Sequence, residues 1–208
     1  MRNHSATVFI VDDDESIRRA LSYLLASAGY EVETYASAEA FLDREHTNRI
    51  GCIILDVRMP GLSGMDLQEK LIRSAYGSMP IIFLTGHGKL DTGIQAMKKG
   101  AVDFLTKPCD DGQLLEAVRG ALEKATTASA EIEEAAKISE LIGRLTPREH
   151  EILRYVIAGL LNKQIAAELA IAEATVKIHR GRLMEKLCVE SVADLVRLAE
   201  KAGIKPFK

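Results

Sequence analysis

A run of acidic residues directly follows the first apolar segment of the chain. In the stretch TVFIVDDDES, the apolar run Thr7–Val11 leads into Asp12, Asp13, Asp14 and Glu15. Like charges repel, and a carboxylate removed from water is costly unless another group compensates it. The four acids therefore either extend into solvent or surround a cation. One of Asp14, Glu15 and Ser16 is also expected to cap the helix that follows.

Three more polar residues stand at the ends of later apolar segments. Asp56 follows CIIL, Thr85 follows IIFL, and Lys107 follows DFLT. Aspartate oxygens are hard ligands for Mg²⁺, and an aspartate can also attack a phosphoryl group. The Thr85 hydroxyl and the Lys107 ammonium can bind phosphoryl oxygens. Each residue alone is compatible with an ordinary loop position, but the combination indicates phosphoryl transfer, which depends on positioned positive charge.

Alternating strands and helices would bring these residues together. Strands are predicted at Thr7–Val11, Glu31–Tyr35, Ile50–Leu55, Pro80–Leu84 and Asp103–Leu105. Apolar residues at helical spacing separate them. Five strand–helix units predict an α/β fold with a doubly wound, five-stranded parallel sheet. Ligands of such sheets bind at the carboxyl ends of the strands, where all the polar residues above are placed.

The rest of the chain is predicted to be helical. Residues 121–142 contain no Gly or Pro, which predicts a helical connector that is weakest at Thr126–Thr127. The stretch LTPREHEIL predicts a helix with Thr146 as N-cap, Pro147 in the first turn and Glu149 completing a capping box. Further helices are predicted at 162–170, 173–187 and about 191–201. We predict three segments, namely residues 1–124, a linker at 125–140, and an all-α domain at 141–208.

The charge distribution also separates the segments. Residues 1–124 carry a net charge of −4, residues 125–140 carry −3, and residues 141–208 carry +4. A basic end on an acidic remainder suggests two domains with different partners. No apolar run approaches the roughly 18 residues of a membrane span, which argues against membrane insertion. Cys52, Cys109 and Cys188 are widely spaced, so we expect buried free thiols rather than disulfides or a zinc site.

The short link between the helices at 162–170 and 173–187 suggests a helix-turn-helix. On the second of these helices one face is apolar, with Val176, Leu183 and Leu187. The other side carries Thr175, Lys177, Ile178, Gly181 and Arg182. This side is expected in a DNA major groove, with Lys163, Thr175 and Lys186 on phosphates. Charge alone is equally compatible with a solvated basic face.

Residues 5–124 resemble the receiver domain of two-component response regulators, a flavodoxin-like fold, through the motifs VDDDE, LDVRMPGLSG, LTGHG and GAVDFLTKP. The resemblance implies that Asp56 is the phosphoacceptor. It implies that Mg²⁺ is held by Asp13, Asp56 and the backbone carbonyl of Arg58, with Asp12 helping. It further implies a switch built from Thr85 and Phe104, and a phosphoryl-binding lysine in a cis bond, Lys107–Pro108. Departures from the usual pattern occur at Lys89, Asp91 and Cys109.

Residues 141–203 resemble a LuxR/FixJ-type effector domain, and the whole chain is similar to the FixJ subfamily, including styrene-pathway regulators. Ala172 stands where many members have a capping Ser, and Gly181 is expected to interrupt the DNA-reading helix; either costs about 0.5–1 kcal/mol. The resemblance implies a cytoplasmic transcription regulator, not an enzyme. Its partners would be a histidine kinase, double-stranded DNA and, after phosphorylation, a second copy bound through the fourth and fifth helices. A contact with RNA polymerase is also compatible with this resemblance.

Two other classes of protein share part of this pattern. A phosphatase or phosphotransferase with an Asp nucleophile would need the haloacid-dehalogenase pattern and a cap domain, and VDDDESI lacks that pattern. A receiver-linked RNA-binding regulator would need an antiterminator-type bundle, which the C-terminal motifs do not resemble. Two coupling mechanisms stay open. In one, the receiver covers the effector domain until it is phosphorylated. In the other, phosphorylation makes the receiver dimerise. A connector without glycine favours dimerisation.

Overall fold

The computed structural model describes residues 6–44, 49–74, 79–86 and 90–207. The chain divides into two compact units, Met1–Ser129 and Ala130–Lys208. Part of the LTGHG motif and the departure at Lys89 lie outside the described residues. No helix in the described ranges is both long and apolar enough to cross a membrane.

The first unit contains a five-stranded parallel sheet. Its strands are β1 Thr7–Val11, β2 Glu31–Tyr35, β3 Gly51–Leu55, β4 Ile81–Thr85 and β5 Asp103–Thr106. The strand order is β2-β1-β3-β4-β5, and every neighbouring pair is parallel. The chain thus changes direction across the sheet between β1 and β3, which is where open α/β sheets bind ligands. The predicted doubly wound fold is confirmed.

Helices cover both faces of this sheet. They are α1 Glu15–Ser27, α2 Ala38–Leu42, α3 Gly64–Ile72, α4 Leu90–Lys98 and α5 Asp111–Gly143. On β3, Ile53 contributes to one core and Ile54 to the other, since side chains alternate along a strand. This two-sided burial explains the unbroken apolar runs of the central strands.

The start of α1 and the connector after the sheet agree with the predictions from sequence. The Asp14 carboxylate accepts hydrogen bonds from the backbone N–H groups of Ser16 and Ile17, so one of the opening acids does cap α1. The connector is helical as predicted, and α5 continues through Thr126 and Thr127. Their hydroxyls donate to backbone carbonyls four residues earlier, at 2.8 and 3.0 Å.

The second unit is helical. After the C-terminal part of α5 come α6 Pro147–Ile157, α7 Asn162–Glu168, α8 Glu173–Lys186 and α9 Val192–Lys201. The capping box of Thr146 and Glu149 forms, with Pro147 in the first turn. The expected interruption at Gly181 is wrong, because α8 runs through it unbroken. Ala172 does leave the N-cap of α8 without a side-chain hydrogen bond.

All three cysteines are free, but the expectation that all are buried is wrong. Cys52 lies inside the sheet core, Cys109 is half-buried, and Cys188 is exposed. Cys188 follows α8 with a φ of 54°, a left-handed conformation that turns the chain out of the helix at the surface.

Candidate functional site

The sheet edge above β1 and β3 carries two buried carboxylates. Asp12 is 3% exposed and Asp56 is 6% exposed. The backbone N–H of Asp56 donates to the Val11 carbonyl at 2.9 Å, which extends the pairing of the two strands to the site. Thr85 is buried at the end of β4, the strand next to β3. Strand pairing therefore places Asp12, Asp56 and Thr85 along one edge of the sheet.

Lys107 joins the two carboxylates. Its Nζ lies 2.5 Å from Asp12 Oδ2 and 3.1 Å from Asp56 Oδ1, although the three residues are far apart in sequence. The Lys107–Pro108 peptide bond is cis, as the resemblance implied. The structure thus brings together an ammonium and two carboxylates at the carboxyl edge of the sheet.

The charges at this edge are unbalanced. Burial raises the pKa of Asp12, although hydrogen bonds from Lys107 and the Asp14 backbone oppose that effect. Burial works to lower the pKa of Lys107, but the hydrogen bonds to Asp12 and Asp56 outweigh it and raise that pKa. Two buried carboxylates share one ammonium, which leaves an excess of negative charge. A hard divalent cation fits this donor set.

Asp13, one of the expected metal ligands, is placed differently from Asp12 and Asp56. Asp13 is exposed. Within the described ranges, no three or more acidic, histidine or cysteine side chains form a group able to hold a metal. The backbone N–H of Arg58 donates to Asp56 Oδ2 at 2.6 Å, so the loop after β3 folds back over the carboxylate. The side chains of Asp12 and Asp56 and the Arg58 backbone are close together, whereas Asp13 lies toward solvent.

Sequence reasoning missed residues that hold these loops in place. The Arg18 guanidinium donates to the backbone carbonyl of Asp12 at 2.7 Å. The Glu39 carboxylate accepts from the Leu62 N–H at 2.9 Å, across from α2 to the loop after β3. A Cβ at Gly64 would overlap the backbone carbonyl oxygen of Asp56. Two features of the sequence could have indicated these residues. They are the helical spacing of Arg18 from Asp14 and the second glycine of GLSG.

Phe104, the expected switch aromatic, is half-buried against the sheet core that contains Ile53. Its ring centroid lies 6.0 Å from that of Phe83. On α4, a Cβ at Gly93 would lie 3.2 Å from the Phe104 ring, so the missing side chain makes room for it. The same helix exposes three apolar side chains, Leu90, Ile94 and Met97. This is the apolar surface available on the helix that was expected to dimerise.

In the second unit, α8 has the predicted apolar face. Val176, Leu183 and Leu187 are buried in its core. The opposite side exposes Lys177, Ile178, Gly181 and Arg182. Lys163 is exposed on α7, while Thr175 is half-buried in the first turn of α8.

Lys186, which is expected to contact DNA phosphates, forms an ion pair within the second unit. Its Nζ donates to Glu149 Oε2 at 2.6 Å, and Glu149 is 2% exposed. Burial works to raise the pKa of Glu149, but hydrogen bonds from Lys186 and the Thr146 backbone outweigh it and lower that pKa to about 2. Because an unpaired buried carboxylate is costly, the role of Lys186 within the domain is to compensate the charge of Glu149.

Comparison with known families matches both units. The family model described as "Response regulator receiver domain" matches residues 8–119. The model described as "Bacterial regulatory proteins, luxR family" matches residues 143–199.

Full-length relatives share this arrangement. Nodulation protein W of Bradyrhizobium diazoefficiens is 46% identical over 199 residues, which cover 96% of this chain and 87% of that protein. Transcriptional regulatory protein FixJ of the same organism is 39% identical, with 95% and 96% covered. Among solved structures, the response regulator StyR has a TM-score of 0.88 and 46% identity, covering 95% of this chain and 99% of that one.

The solved structure of full-length FixJ from B. japonicum has a TM-score of 0.58 and 39% identity, covering 96% of this chain and 98% of that one. A phosphatase or phosphotransferase is not favoured, because a luxR-family domain follows the receiver domain and the relatives are regulatory proteins. The chain therefore belongs to the two-component response regulators that join a receiver domain to a LuxR-type DNA-binding domain, and within them it is FixJ-like.

Proposed function

We propose that Asp56 accepts a phosphoryl group from a cognate histidine kinase. The observation that carries this proposal is the buried contact of Asp56 with Lys107 at 3.1 Å, at the switch point of the sheet. In the transfer, the P–N bond of the kinase phosphohistidine breaks and a P–O bond to the Asp56 carboxylate forms. The Lys107 ammonium stabilises charge on the phosphoryl oxygens, and the Thr85 hydroxyl donates to one of them.

Asp13, Asp56 and the Arg58 backbone carbonyl would hold Mg²⁺, with Asp12 helping; Asp13 would approach the cation from the solvent side. When bound, the cation neutralises the carboxylates and the incoming phosphoryl group. The negative excess of two buried carboxylates against one ammonium supports this part of the proposal.

The second unit is proposed to read double-stranded DNA through the exposed side of α8. Lys177 and Arg182 would contact base edges and Ile178 would contact thymine methyls, while Lys163 and Thr175 contact phosphates. Phosphorylation would act through the Thr85–Phe104 switch and a dimer formed on the α4–α5 face, where Leu90 is 80% exposed. A regulator of this kind works in the cytoplasm, and a contact with RNA polymerase at the promoter fits it.

The phosphorylation part is tested with radiolabelled acetyl phosphate and Mg²⁺. Asp56→Asn should abolish labelling, because an amide is a poor nucleophile, and removal of Mg²⁺ should do the same. Asp43→Asn is the matched control, since Asp43 is an exposed aspartate after α2. Full labelling of the Asp56 variant would contradict the assignment.

The DNA part is tested on a duplex that the wild-type chain selects from a random pool. Arg182→Ala or Lys177→Ala should weaken specific binding by about 1–3 kcal/mol if the side chain contacts a base. A residue that contacts only phosphate would weaken all duplexes alike and reduce the salt dependence. If neither substitution changes binding at moderate salt, α8 presents a different face to DNA.

A further inference from the structure

Helix α7 is short and buries few of its own side chains. It has seven residues, and only Ile165 and Ala166 among them are buried. Its N-cap residue, Leu161, has no side-chain acceptor, although its backbone N–H donates to Gln164 Oε1 within the helix at 2.7 Å. A helix this short depends on tertiary contacts for its position, because propensity alone does not maintain it.

One polar contact ties the free end of α7 to α8. Arg180 Nη1 donates to Asn162 Oδ1 at 2.9 Å, and both side chains are half-buried. Asn162 is the first residue of α7, and Arg180 lies in the middle of α8. The other end of α7 is joined to α8 by the short turn at residues 169–172, where Ala170 has a φ of 50°. The angle between the two helices is therefore constrained by the turn, by the burial of Ile165 and Ala166 in the shared core, and by this hydrogen bond at the end far from the turn.

This angle matters for DNA because the two helices carry different contacts. Lys163, next to Asn162, is exposed on α7, while Lys177 and Arg182 are exposed on α8. A phosphate contact from α7 and base contacts from α8 form together only if the helices keep one relative orientation, since side chains must be positioned within a fraction of an ångström.

We propose that Arg180 is a positioning residue for DNA recognition, which acts by holding the N-terminus of α7 through Asn162. The proposal rests on the DNA-binding function proposed above. It assigns Arg180 a role different from that of a basic residue that contacts phosphate, although its charge would suit either role. The two roles differ in their dependence on Asn162 and on salt.

The test is a double-mutant cycle on the full chain, treated with acetyl phosphate and Mg²⁺. The variants are Arg180→Met, which keeps an unbranched apolar stem but removes the donors, Asn162→Ala, and both together. Binding to the duplex selected by the wild type is measured by fluorescence anisotropy at several NaCl concentrations. Lys163→Met serves as the comparison for a phosphate contact.

Each single substitution should weaken specific binding about tenfold, roughly the effect of one lost hydrogen bond to a charged group. The double variant should be no weaker than either single one, because both remove the same contact. The salt dependence should stay at the wild-type value for Arg180→Met, whereas Lys163→Met should reduce the slope of log K against log salt by about 0.9.

Independent effects, about a hundredfold loss in the double variant, would overturn the proposal. The proposal would also be overturned if Asn162→Ala bound DNA with wild-type affinity, or if Arg180→Met had a reduced salt slope. Either result would indicate that Arg180 contacts a DNA phosphate. Thermal unfolding establishes that each variant is folded, and Arg180→Gln replaces Arg180→Met in the cycle if the latter is not. Failure of the wild-type chain to select any duplex is a separate result, and it would contradict the proposed DNA-binding function itself.

Discussion

At the scale of single residues, the molecule is organised around buried charges that need partners. Lys107 compensates Asp12 and Asp56 at the sheet edge, and Lys186 compensates Glu149 in the second unit. In both places a lysine that is partly accessible to solvent pairs with carboxylates that are not. Removing one partner should therefore have larger effects than changing an exposed ion pair.

Lys107→Met should bind Mg²⁺ more tightly than the wild type, by about five- to tenfold, because a positive charge next to the proposed cation site is removed. Isothermal titration of the full chain with MgCl₂ measures this. Lys99→Met is the matched control, since Lys99 pairs with Glu69 away from the site and both side chains are more exposed. Unchanged or weaker Mg²⁺ binding by Lys107→Met would contradict a cation position beside Asp12 and Asp56.

Glu149 should make the stability of the second unit depend on acid pH. Its pKa in the folded state is about 2, below the ordinary value of 4.5, so its stabilisation is present above about pH 4.5. That stabilisation is lost as the pH falls from about 4.5 toward about 2. Urea unfolding of residues 130–208 should show a steeper decline over this range for the wild type than for Glu149→Gln.

The control for this pH effect is Glu151→Gln on the same helix. Glu151 pairs with Arg148, and 38% of its side chain is exposed. Glu151→Gln should leave the decline of stability at acid pH unchanged. Equal pH dependence of the wild type and Glu149→Gln would show that the Lys186 contact does not hold Glu149 ionised.

At the scale of elements, the ends and contacts of helices decide how the sites are held. Ser37, Ser63, Thr146 and Ser191 cap their helices with a side-chain oxygen. In the helix-turn-helix, Leu161 and Ala172 occupy the same positions and offer none. The helices proposed to meet DNA are thus less stabilised locally than the others named here.

Ala172→Ser should stabilise the second unit by about 1 kcal/mol, because Ala172 already has the extended backbone of an N-cap, with φ −69° and ψ 143°. Urea unfolding of residues 130–208 measures the change. Ala174→Ser is the control inside the first turn of α8, where a hydroxyl cannot cap the helix and should not stabilise it. A stability at or below that of the wild type for Ala172→Ser would contradict the capping argument.

Gly64 and Gly181 make a matched pair within helices. A Cβ at Gly64 would overlap the backbone of Asp56, whereas a Cβ at Gly181 would have no atom within 4 Å. Gly64→Ala should shift α3 away from Asp56, the proposed phosphoacceptor, and reduce labelling by acetyl phosphate at least tenfold. Gly181→Ala should leave labelling unchanged and stabilise α8 by about 0.5–1 kcal/mol. Wild-type labelling of Gly64→Ala would show that α3 does not position Asp56.

At the scale of the whole molecule, the question is how phosphorylation at one unit changes DNA binding at the other. It can do so only through a free-energy difference between two states. In one mechanism the receiver covers the effector domain, and in the other a receiver dimer joins two effector domains, which gain avidity on paired half-sites. The exposed apolar residues of α4 favour the second mechanism.

The fragment 130–208, which has its own core, distinguishes them. Under dimerisation it should bind the selected duplex more weakly than the phosphorylated full chain, and fusion to a dimeric coiled coil should restore affinity. Anisotropy titrations of the two forms measure this. A monomeric fragment that binds as tightly as the phosphorylated full chain would instead support the covering mechanism.

Much of this protein follows from local sequence. The alternation of apolar runs and helical spacing determined the five-stranded sheet, because strand and helix periods differ and are visible over a few residues. Placement of Asp56 and Lys107 at strand ends then put both at one edge of the sheet, since parallel strands end at the same edge. Thr146, Pro147 and Glu149 determined the start of α6 because capping acts within one turn.

Only the tertiary structure decided which of the plausible residues are used, because their partners are distant in the chain. Lys186 pairs with Glu149 of α6, and Arg180 binds Asn162 of the preceding helix. Asp13 lies in solvent although Asp12, its neighbour, is buried, since side-chain direction at a strand end depends on how the following loop folds. Contacts between distant segments follow from the packed arrangement of helices, which no spacing of residues encodes locally.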